Sequence, residues 1–432
     1  MRRLLSIALC LAAASPLATN AQTASDSLRL FDLRATALNQ DPRVAELELL
    51  ASQSALRLRD INADFKPALS FEGQAQYQSD VASIPLSIPG ITLPKPSHDT
   101  YDAHLNANQR IYDPSLSPRR AVERAQTVES QARVRTALYS ISESVNSAFF
   151  TALRSQSQIA ELQTTLTDIE AQISVADDRV KAGTALPSES DALRAELLRR
   201  RQAVAEQIAA RNAAVAVLSD LVGKQIDPSI PLAAPDLSAE VAAARNAADL
   251  RDRPEYQQFE ATRSVLDREN DARSAQDKPR LFAFGRAGYG RPGLNPLSDK
   301  FDSYWLTGIQ LQWTPWNWGV TSREKQINAL QRDIVTSEEK AFTAGLKRAV
   351  EQDNATIDRL EAALSQDEEI IALREKIFTE TRARYAEAVI TSADYVDRQT
   401  DVLAARLTRA AHRVELAQAR AHLLTTLGIE VR

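Results

Sequence analysis

The sequence predicts a mostly α chain with some β, built from long antiparallel helical coiled coils and two β-hairpins. Three observations predict it: a scarcity of glycine, a chain written twice, and heptads that run without interruption. Only 12 of the 432 residues are glycine, under half of the usual ~7%. Glycine serves sharp turns and close backbone approaches, so a long chain with few of them should have few turns and long elements. That argues against doubly wound nucleotide folds and propellers, which need many glycine turns. A single cysteine, Cys10, excludes a disulfide framework. His98, His104, His412 and His422 show no metal-ligand spacing, so neither a metal nor another cofactor is expected. A net charge of −5 points to no nucleic-acid partner.

The first 21 residues read as a secretory signal peptide. Arg2 and Arg3 form a positive start, Leu4 to Ala14 an apolar run, and Thr19 and Ala21 the small residues before a cut. The apolar run is too short to span a bilayer as a helix. Leu9 precedes Cys10 where a lipid-attachment signal needs a small residue. Cleavage after Ala21 is therefore expected rather than lipidation. The mature chain 22–432 should then be exported.

Internal repeats organise the rest. Pro42 and Pro67 are matched by Pro254 and Pro279, an offset of 212. Leu69, Gly73, Ala75 and Tyr77 fall on Leu281, Gly285, Ala287 and Tyr289 at the same offset. Tyr112 through Arg119 aligns with Trp316 through Arg323 at 204. Arg179 with Arg384, and Gly223 with Gly428, align at 205. The order of matches divides the chain into repeat 1, residues 27–223 with a hairpin at 68–112, and repeat 2, residues 238–428 with a hairpin at 280–316. The stretch 224–238, with Pro228, Pro231 and Pro235, links them.

Within each hairpin the side chains alternate. Leu69, Phe71, Gly73, Ala75 and Tyr77 interleave with Ser70, Glu72, Gln74, Gln76 and Gln78. Tyr101, Ala103, Leu105, Ala107 and Ile111 interleave with Asp102, His104, Asn106, Asn108 and Arg110. Trp305, Thr307, Ile309, Leu311 and Trp313 continue the apolar face in the second hairpin, where Phe282 and Phe284 disturb the pattern. Period two gives a strand with one apolar and one polar face. A hairpin on a soluble core would show the same alternation. Strands of about ten residues, the length that crosses a bilayer when tilted, and aromatic residues at the strand ends favour a membrane barrel. The crowding aromatics are Tyr77, Tyr101, Tyr112, Tyr289, Tyr304, Trp305, Trp313, Trp316 and Trp318. Four strands cannot close a barrel in lipid, where every backbone donor and acceptor must be paired. Several chains must therefore share one.

From Leu138 to Val180 apolar residues recur at alternating spacings of three and four, a heptad seam. Residues 119–182 hold no glycine or proline, and Ser322 to Ala388 is interrupted only by Gly345. Helices this long need antiparallel partners, which residues 189–222 and 393–427 are placed to supply. Gly183 suits a left-handed helix end, and Ser188 or Ser392 could cap the returning helices. Gly345, alone inside a helix, marks a bend or a tight helix contact.

Taken together, these parts resemble the TolC-like outer-membrane efflux proteins over nearly all of the mature chain. The resemblance is carried by the duplicated plan, the Asp41-Pro42-Arg43-Val44 and Arg253-Pro254-Glu255-Tyr256 starts, the Trp316-Asn317-Trp318-Gly319 run with Arg323, and the two tip turns. It implies a homotrimer whose hairpins form one shared 12-stranded transmembrane β-barrel in the outer membrane of a Gram-negative bacterium. Below the barrel it implies a helical tunnel, a periplasmic adaptor and an inner-membrane pump of RND or ABC type. The function implied is export, by efflux or type I secretion, with no enzymatic chemistry.

Carried over by alignment, the pore constriction falls on Asp394 and Asp397, a restraint on the closed state on Tyr385, and an acidic residue of the first tip on Glu189. The adaptor-contacting tips fall on Gly183, Thr184 and Ala185, and on Ala388, Val389 and Ile390. Two residues depart from the family pattern: Ala388 stands where glycine is usual and Ile390 where an arginine often latches the tip. Read without the resemblance, Asp394 and Asp397 are acids favoured by the dipole at a helix start. The rival to a channel is a soluble periplasmic coiled-coil scaffold or adaptor, with the same heptads and its hairpins in water.

Overall fold

The computed structural model describes residues 27–81, 96–247, 252–296 and 298–429. The signal segment 1–21 with Cys10, and Pro85, Pro89 and Pro94 of the first hairpin loop, lie outside the described residues. Each half has the same order of elements. The first runs α1 (Leu30–Gln40), α2 (Val44–Ala63), β1 (Ala68–Tyr77), β2 (Asp99–Tyr112), α3 (Leu116–Lys181) and α4 (Pro187–Val222). The second runs α5 (Ser238–Ala247), α6 (Pro254–Gln276), β3 (Arg280–Arg291), β4 (Asp302–Gln312), α7 (Val320–Ala386) and α8 (Ser392–Leu427).

The long helices are as uninterrupted as the glycine count predicts. α3 has 66 residues and α7 has 67, about 100 Å each at 1.5 Å per residue. α4 returns along α3 and α8 along α7, and the two pairs meet through α3 and α8. Gly345 sits inside α7 without the tight contact expected of it. A Cβ there would meet only the Arg348 side chain, at 4.0 Å.

The main core lies where helices of the two halves come together. Leu30, Phe149, Phe150, Val215, Leu218, Ile357, Leu360, Leu423 and Leu424 form one buried cluster. Phe149 and Phe150 meet edge to face at 5.4 Å, a favoured arrangement of ring quadrupoles. Smaller clusters follow towards the tips: Leu162, Val204 and Leu403, then Ala176, Leu193, Tyr385 and Tyr395.

An ionic ladder sets the register of α8 on α7. Arg420 meets Glu361 at 2.7 Å, Arg413 meets Glu368 at 2.9 Å, and Arg406 meets Glu375 at 2.5 Å. Every step is one heptad on each helix, which keeps the pairs on one flank of the seam. The next step towards the tip would join Gln399 to Arg382. Both turn instead to Asp168 of α3, Gln399 by a hydrogen bond and Arg382 at 3.7 Å.

The two proline starts carry one ion pair in opposite polarity. Asp41 pairs with Arg43 at 2.9 Å across Pro42, and Arg253 with Glu255 at 2.5 Å across Pro254. Arg253 also donates to the Thr426 carbonyl at 2.9 Å and lies over the rings of Tyr139 and Phe342. It thereby satisfies the free carbonyls at the end of α8.

Candidate functional site: the exposed sheet and the helical tips

The four strands form one antiparallel sheet in the order β1-β2-β3-β4. Register places Leu69, Ala107, Gly285 and Thr307 in one row, and Phe71, Leu105, Ala287 and Trp305 in the next, all on one face. This apolar face is open: Phe71 is 75% exposed and Trp305 74%. The opposite face carries Glu72, His104 and Tyr304 in one row and Ser70, Asn106 and Arg286 in another. There Arg286 donates to Asn106 at 2.8 Å, and Asn106 donates to Glu72 at 2.8 Å. A ring nitrogen of His104 lies 2.5 Å from Asp102. Tyr304 donates to Asp102 at 2.5 Å, so it belongs to the polar network and not to the aromatic ends of the strands where it was expected.

This arrangement inverts a soluble sheet, because the polar face is the knitted one and the apolar face has no cover. Phe282 and Phe284, which disturb the alternation, fall on the polar face, and Phe284 packs over Gly308. A Cβ at Gly308 would come within 2.8 Å of that ring. At one end of the sheet Phe301 stacks between Tyr101 and Tyr289. At the other Trp313, Trp316 and Trp318 are exposed. Both ends are thus aromatic, with an apolar band between them. Among the described residues the outer edges of β1 and β4 have no partner strand.

At the far end of the molecule the two tip turns sit side by side. In the first, Gly183 has φ 72° and Thr184 N donates to the Arg179 carbonyl at 2.9 Å. In the second, Ala388 takes the same left-handed conformation, φ 58°, and Val389 N donates to the Arg384 carbonyl at 2.9 Å. The departure at Ala388 therefore leaves the turn geometry intact and places a Cβ in a region that disfavours one. The helix caps differ from those expected. α4 starts from Leu186 with Pro187 in its first turn. α8 starts from Thr391 in a reciprocal capping box with Asp394.

The sequence-derived residues divide by environment. Glu189 bonds the first turn of α8: its carboxylate accepts from Ser392 N at 2.6 Å and from the Ser392 hydroxyl, and its carbonyl accepts from that hydroxyl at 2.9 Å. Tyr385 is 3% exposed and lies against Tyr395 with ring centroids 4.9 Å apart. Burial pushes the Tyr385 phenol above its ordinary pKa. Asp394 and Asp397 are exposed on α8. The hydroxyl and amide of Thr391 hold the Asp394 carboxyl below the usual carboxylate range. Asp397 makes no hydrogen bond or ion pair among the described residues.

Two tip residues were not singled out from the sequence. Arg179, noted only as a repeat match of Arg384, donates to the carbonyls of Tyr385 at 2.9 Å and Ala386 at 2.6 Å. Its guanidinium lies 5.2 Å from the centre of the Tyr385 ring. Together Arg179 and Glu189 tie the first tip to both termini of the second, a cation at the end of α7 and an anion at the start of α8. Both charges complement the helix dipoles they meet. The other residue is Asp168, which accepts from Tyr395 at 2.6 Å and from Gln399.

Residues 33–224 match the family model of outer membrane efflux proteins. The resemblance read from the sequence holds. The fold extends it over nearly the whole chain. The chain is similar to CusC, with a TM-score of 0.68 at 16% identity, covering 96% of each chain. It is similar to the MtrE outer membrane channel of Neisseria gonorrhoeae, with a TM-score of 0.65 at 17% identity over 94% of this chain and 90% of that one. It is also similar to VceC, an outer membrane protein of Vibrio cholerae, with a TM-score of 0.66 at 14% identity over 92% and 96%. No curated protein matches in sequence. The order of long helices and strands in this chain is the fold of these solved outer-membrane proteins.

Proposed function

We propose that three copies of this chain form an outer-membrane channel-tunnel that exports substrates handed over by a periplasmic adaptor and an inner-membrane pump. The observation that carries this reading is the sheet, with its uncovered apolar face, its networked polar face and two open edges. An open edge leaves backbone groups unpaired, which lipid does not tolerate. Joining β1 of one copy to β4 of the next pairs both edges, and three copies supply twelve strands. The apolar face then meets lipid and the polar face lines water. A soluble scaffold would leave Phe71, Trp305, Ile309 and Leu311 in solvent.

In this reading the tips form the periplasmic entrance. Asp394 and Asp397 contribute six carboxylates from three chains, a ring that favours cations. The residues Gly183, Thr184 and Ala185, with Ala388, Val389 and Ile390, meet the adaptor. Opening separates the tips, and the contacts from Arg179 and Glu189 are the ones that must yield. Asp394 serves the ring with a carboxylate already held ionised by Thr391.

Planar-bilayer recording of the purified protein tests this. A small cation-selective conductance is expected, with selectivity lowered when Asp394→Ala and Asp397→Ala are combined. Unchanged selectivity in the double variant refutes the ring. Recovery of the wild-type protein from the soluble periplasm without detergent refutes the channel.

A further inference from the structure

Phe282 and Phe284, which disturb the alternation of the second hairpin, have counterparts in the first. At the offset of 212 they fall on Ser70 and Glu72, and Arg286 falls on Gln74. One half of the chain therefore holds two phenyl rings and a guanidinium where the other holds a hydroxyl, a carboxylate and an amide. All three residues lie on the polar face of β3, in successive rows of the sheet. Strand geometry sets each about 7 Å from the next.

The neighbours of this stripe keep it in place and leave it open. Phe284 lies across β4 at Gly308, where a Cβ would come within 2.8 Å of its ring. The missing side chain at Gly308 is what lets the ring lie flat on the strand. Phe282 shares its row with Arg110 and Gln310, and both phenyl rings are half-buried. Arg286 is exposed, and its Nε donates to Asn106 at 2.8 Å. Two other arginines of this face meet carboxylates: Arg110 lies 3.0 Å from Asp113, and Arg280 lies 3.8 Å from it. Arg286 has no ion pair among the described residues. Asn106 stands between it and Glu72, accepting from the one and donating to the other. Towards the strand loops the rows turn acidic, with Glu72 first and then Asp102 and Asp302.

We propose that Phe282, Phe284 and Arg286 form a binding site inside the barrel for an aromatic organic anion, one site per copy. The proposal rests on the channel reading above and names a class of cargo for it. The anionic group pairs with the Arg286 guanidinium, whose planar fork matches a carboxylate. The ring of the cargo lies against Phe284 and Phe282, where contact between aromatic faces and edges adds to burial. A small anion gains nothing from the two phenyl rings, and an aromatic cation meets Arg286 as a like charge. Recognition thus needs both features in one molecule. The carboxylates of Glu72, Asp102 and Asp302 keep the site weak, as a conducting path requires of any site along it. The ring of Asp394 and Asp397 lies at the other end of the molecule and parts when the tips separate, so it does not bar such an anion from the open tunnel.

Planar-bilayer recording tests the site, with naphthoate added to both chambers. The barrel is reached from the side of the strand loops whether or not the tips have parted. Naphthoate should block the wild-type current in a concentration-dependent way. Acetate, which lacks the ring, and naphthylmethylammonium, which reverses the charge, should block about tenfold more weakly. Arg286→Gln should raise the half-blocking concentration of naphthoate about fivefold, with Arg286→Lys between it and wild type. Phe284→Leu, and Phe282→Ser, which installs the residue type of the first hairpin, should each raise it severalfold. Equal block of the wild-type protein by naphthoate and naphthylmethylammonium overturns the site without need of any variant. Unchanged block in Arg286→Gln also overturns it. Either result leaves the current, and with it the channel reading, standing. A wild-type protein that gives no current steps overturns both.

Discussion

Arg179, in the last turn of α3, donates to the carbonyl of Tyr385, in the last turn of α7, at 2.9 Å. The two residues are 206 positions apart and belong to different halves of the chain. A second donation, to Ala386, takes the neighbouring carbonyl. Arg179→Ala removes both bonds and the contact with the Tyr385 ring. A charge-assisted hydrogen bond contributes about 1.5–3 kcal/mol when well shielded, and less at a surface. A loss of roughly 1.4 kcal/mol speeds local opening about tenfold. Amides at 384–390 should therefore exchange about tenfold faster in Arg179→Ala, with Arg179→Lys between it and wild type. Single channels should also conduct more.

Ala388 holds a left-handed conformation that Gly183 holds in the other tip. A Cβ there costs about 1–2 kcal/mol, offset by the smaller unfolded-state entropy of alanine, about 0.4–1 kcal/mol. Ala388→Gly should stabilise the second tip by a few tenths of a kcal/mol up to about 1 kcal/mol. Gly183→Ala should destabilise the first tip by a similar amount. Exchange at 386–391 and 181–186 reads the two effects separately, and an Ala388→Gly tip that exchanges faster contradicts the strain argument.

Asp168 accepts from Tyr395 and Gln399 where the α7–α8 ladder leaves off. Burial and the neighbouring Asp168 carboxylate push the Tyr395 phenol far above its ordinary pKa, so it remains a donor at any working pH. Asp168→Asn keeps the shape but removes the charge that both donors share. A weakly paired buried polar group costs about 1–3 kcal/mol. The variant should be cut by trypsin at Arg382 and Arg384 several-fold faster, while cleavage at Arg413 and Arg420 stays as in wild type. Equal cleavage at both places means that Asp168 does not hold the tip-ward segment.

His422 on α8 lies 2.8 Å from the carboxylate of Asp353 on α7 and 3.9 Å from that of Glu143 on α3. The bond to Asp353 outweighs burial and raises the His422 pKa above 6.5. A raised folded-state pKa contributes stability that is complete below the unfolded value and lost as pH rises through the folded value. Thermal midpoints in detergent should therefore fall between pH 6 and pH 8.5 in wild type by more than they do in His422→Gln. Asp353→Asn should flatten the profile in the same way. Identical profiles in all three proteins exclude His422 as the source.

Gly308 lies under the ring of Phe284, with no room for a Cβ. Gly308→Val should displace Phe284 from its place over Gly308 and lower the yield of heat-resistant oligomer. Adding Phe284→Ala should restore much of it, because the space and the intruding side chain are then exchanged.

Much of this molecule is legible from side-chain order. Period two in Leu69 to Tyr77, with its interleaved glutamines, names a strand with two unlike faces. The heptads from Leu138 to Val180 name a helix that needs a partner, and the absence of glycine says that it does not stop. The proline pairs announce two halves built alike. These properties are local: a repeat of two or three and a half residues states which face is apolar wherever the rest of the chain lies.

What the order of residues leaves open is which partner each polar group takes. Tyr304 has the look of an interfacial aromatic, and only the packing over Gly288 turns it to Asp102. Asp394 could face a pore, cap a helix or do both, and only the turn geometry at Thr391 gives it the cap. Ser392 was a candidate cap and became the partner of Glu189, 203 residues away. Arg179 carried no signal beyond its match to Arg384, yet it reaches the end of a helix from the other half. The amino-acid sequence determined the elements, their lengths and their two-sidedness, because those follow from short-range periodicity and from glycine and proline. The tertiary structure alone decided the tip contacts and the polar network of the sheet, because a hydrogen bond depends on tenths of an ångström between segments whose approach is set by the packing of the whole.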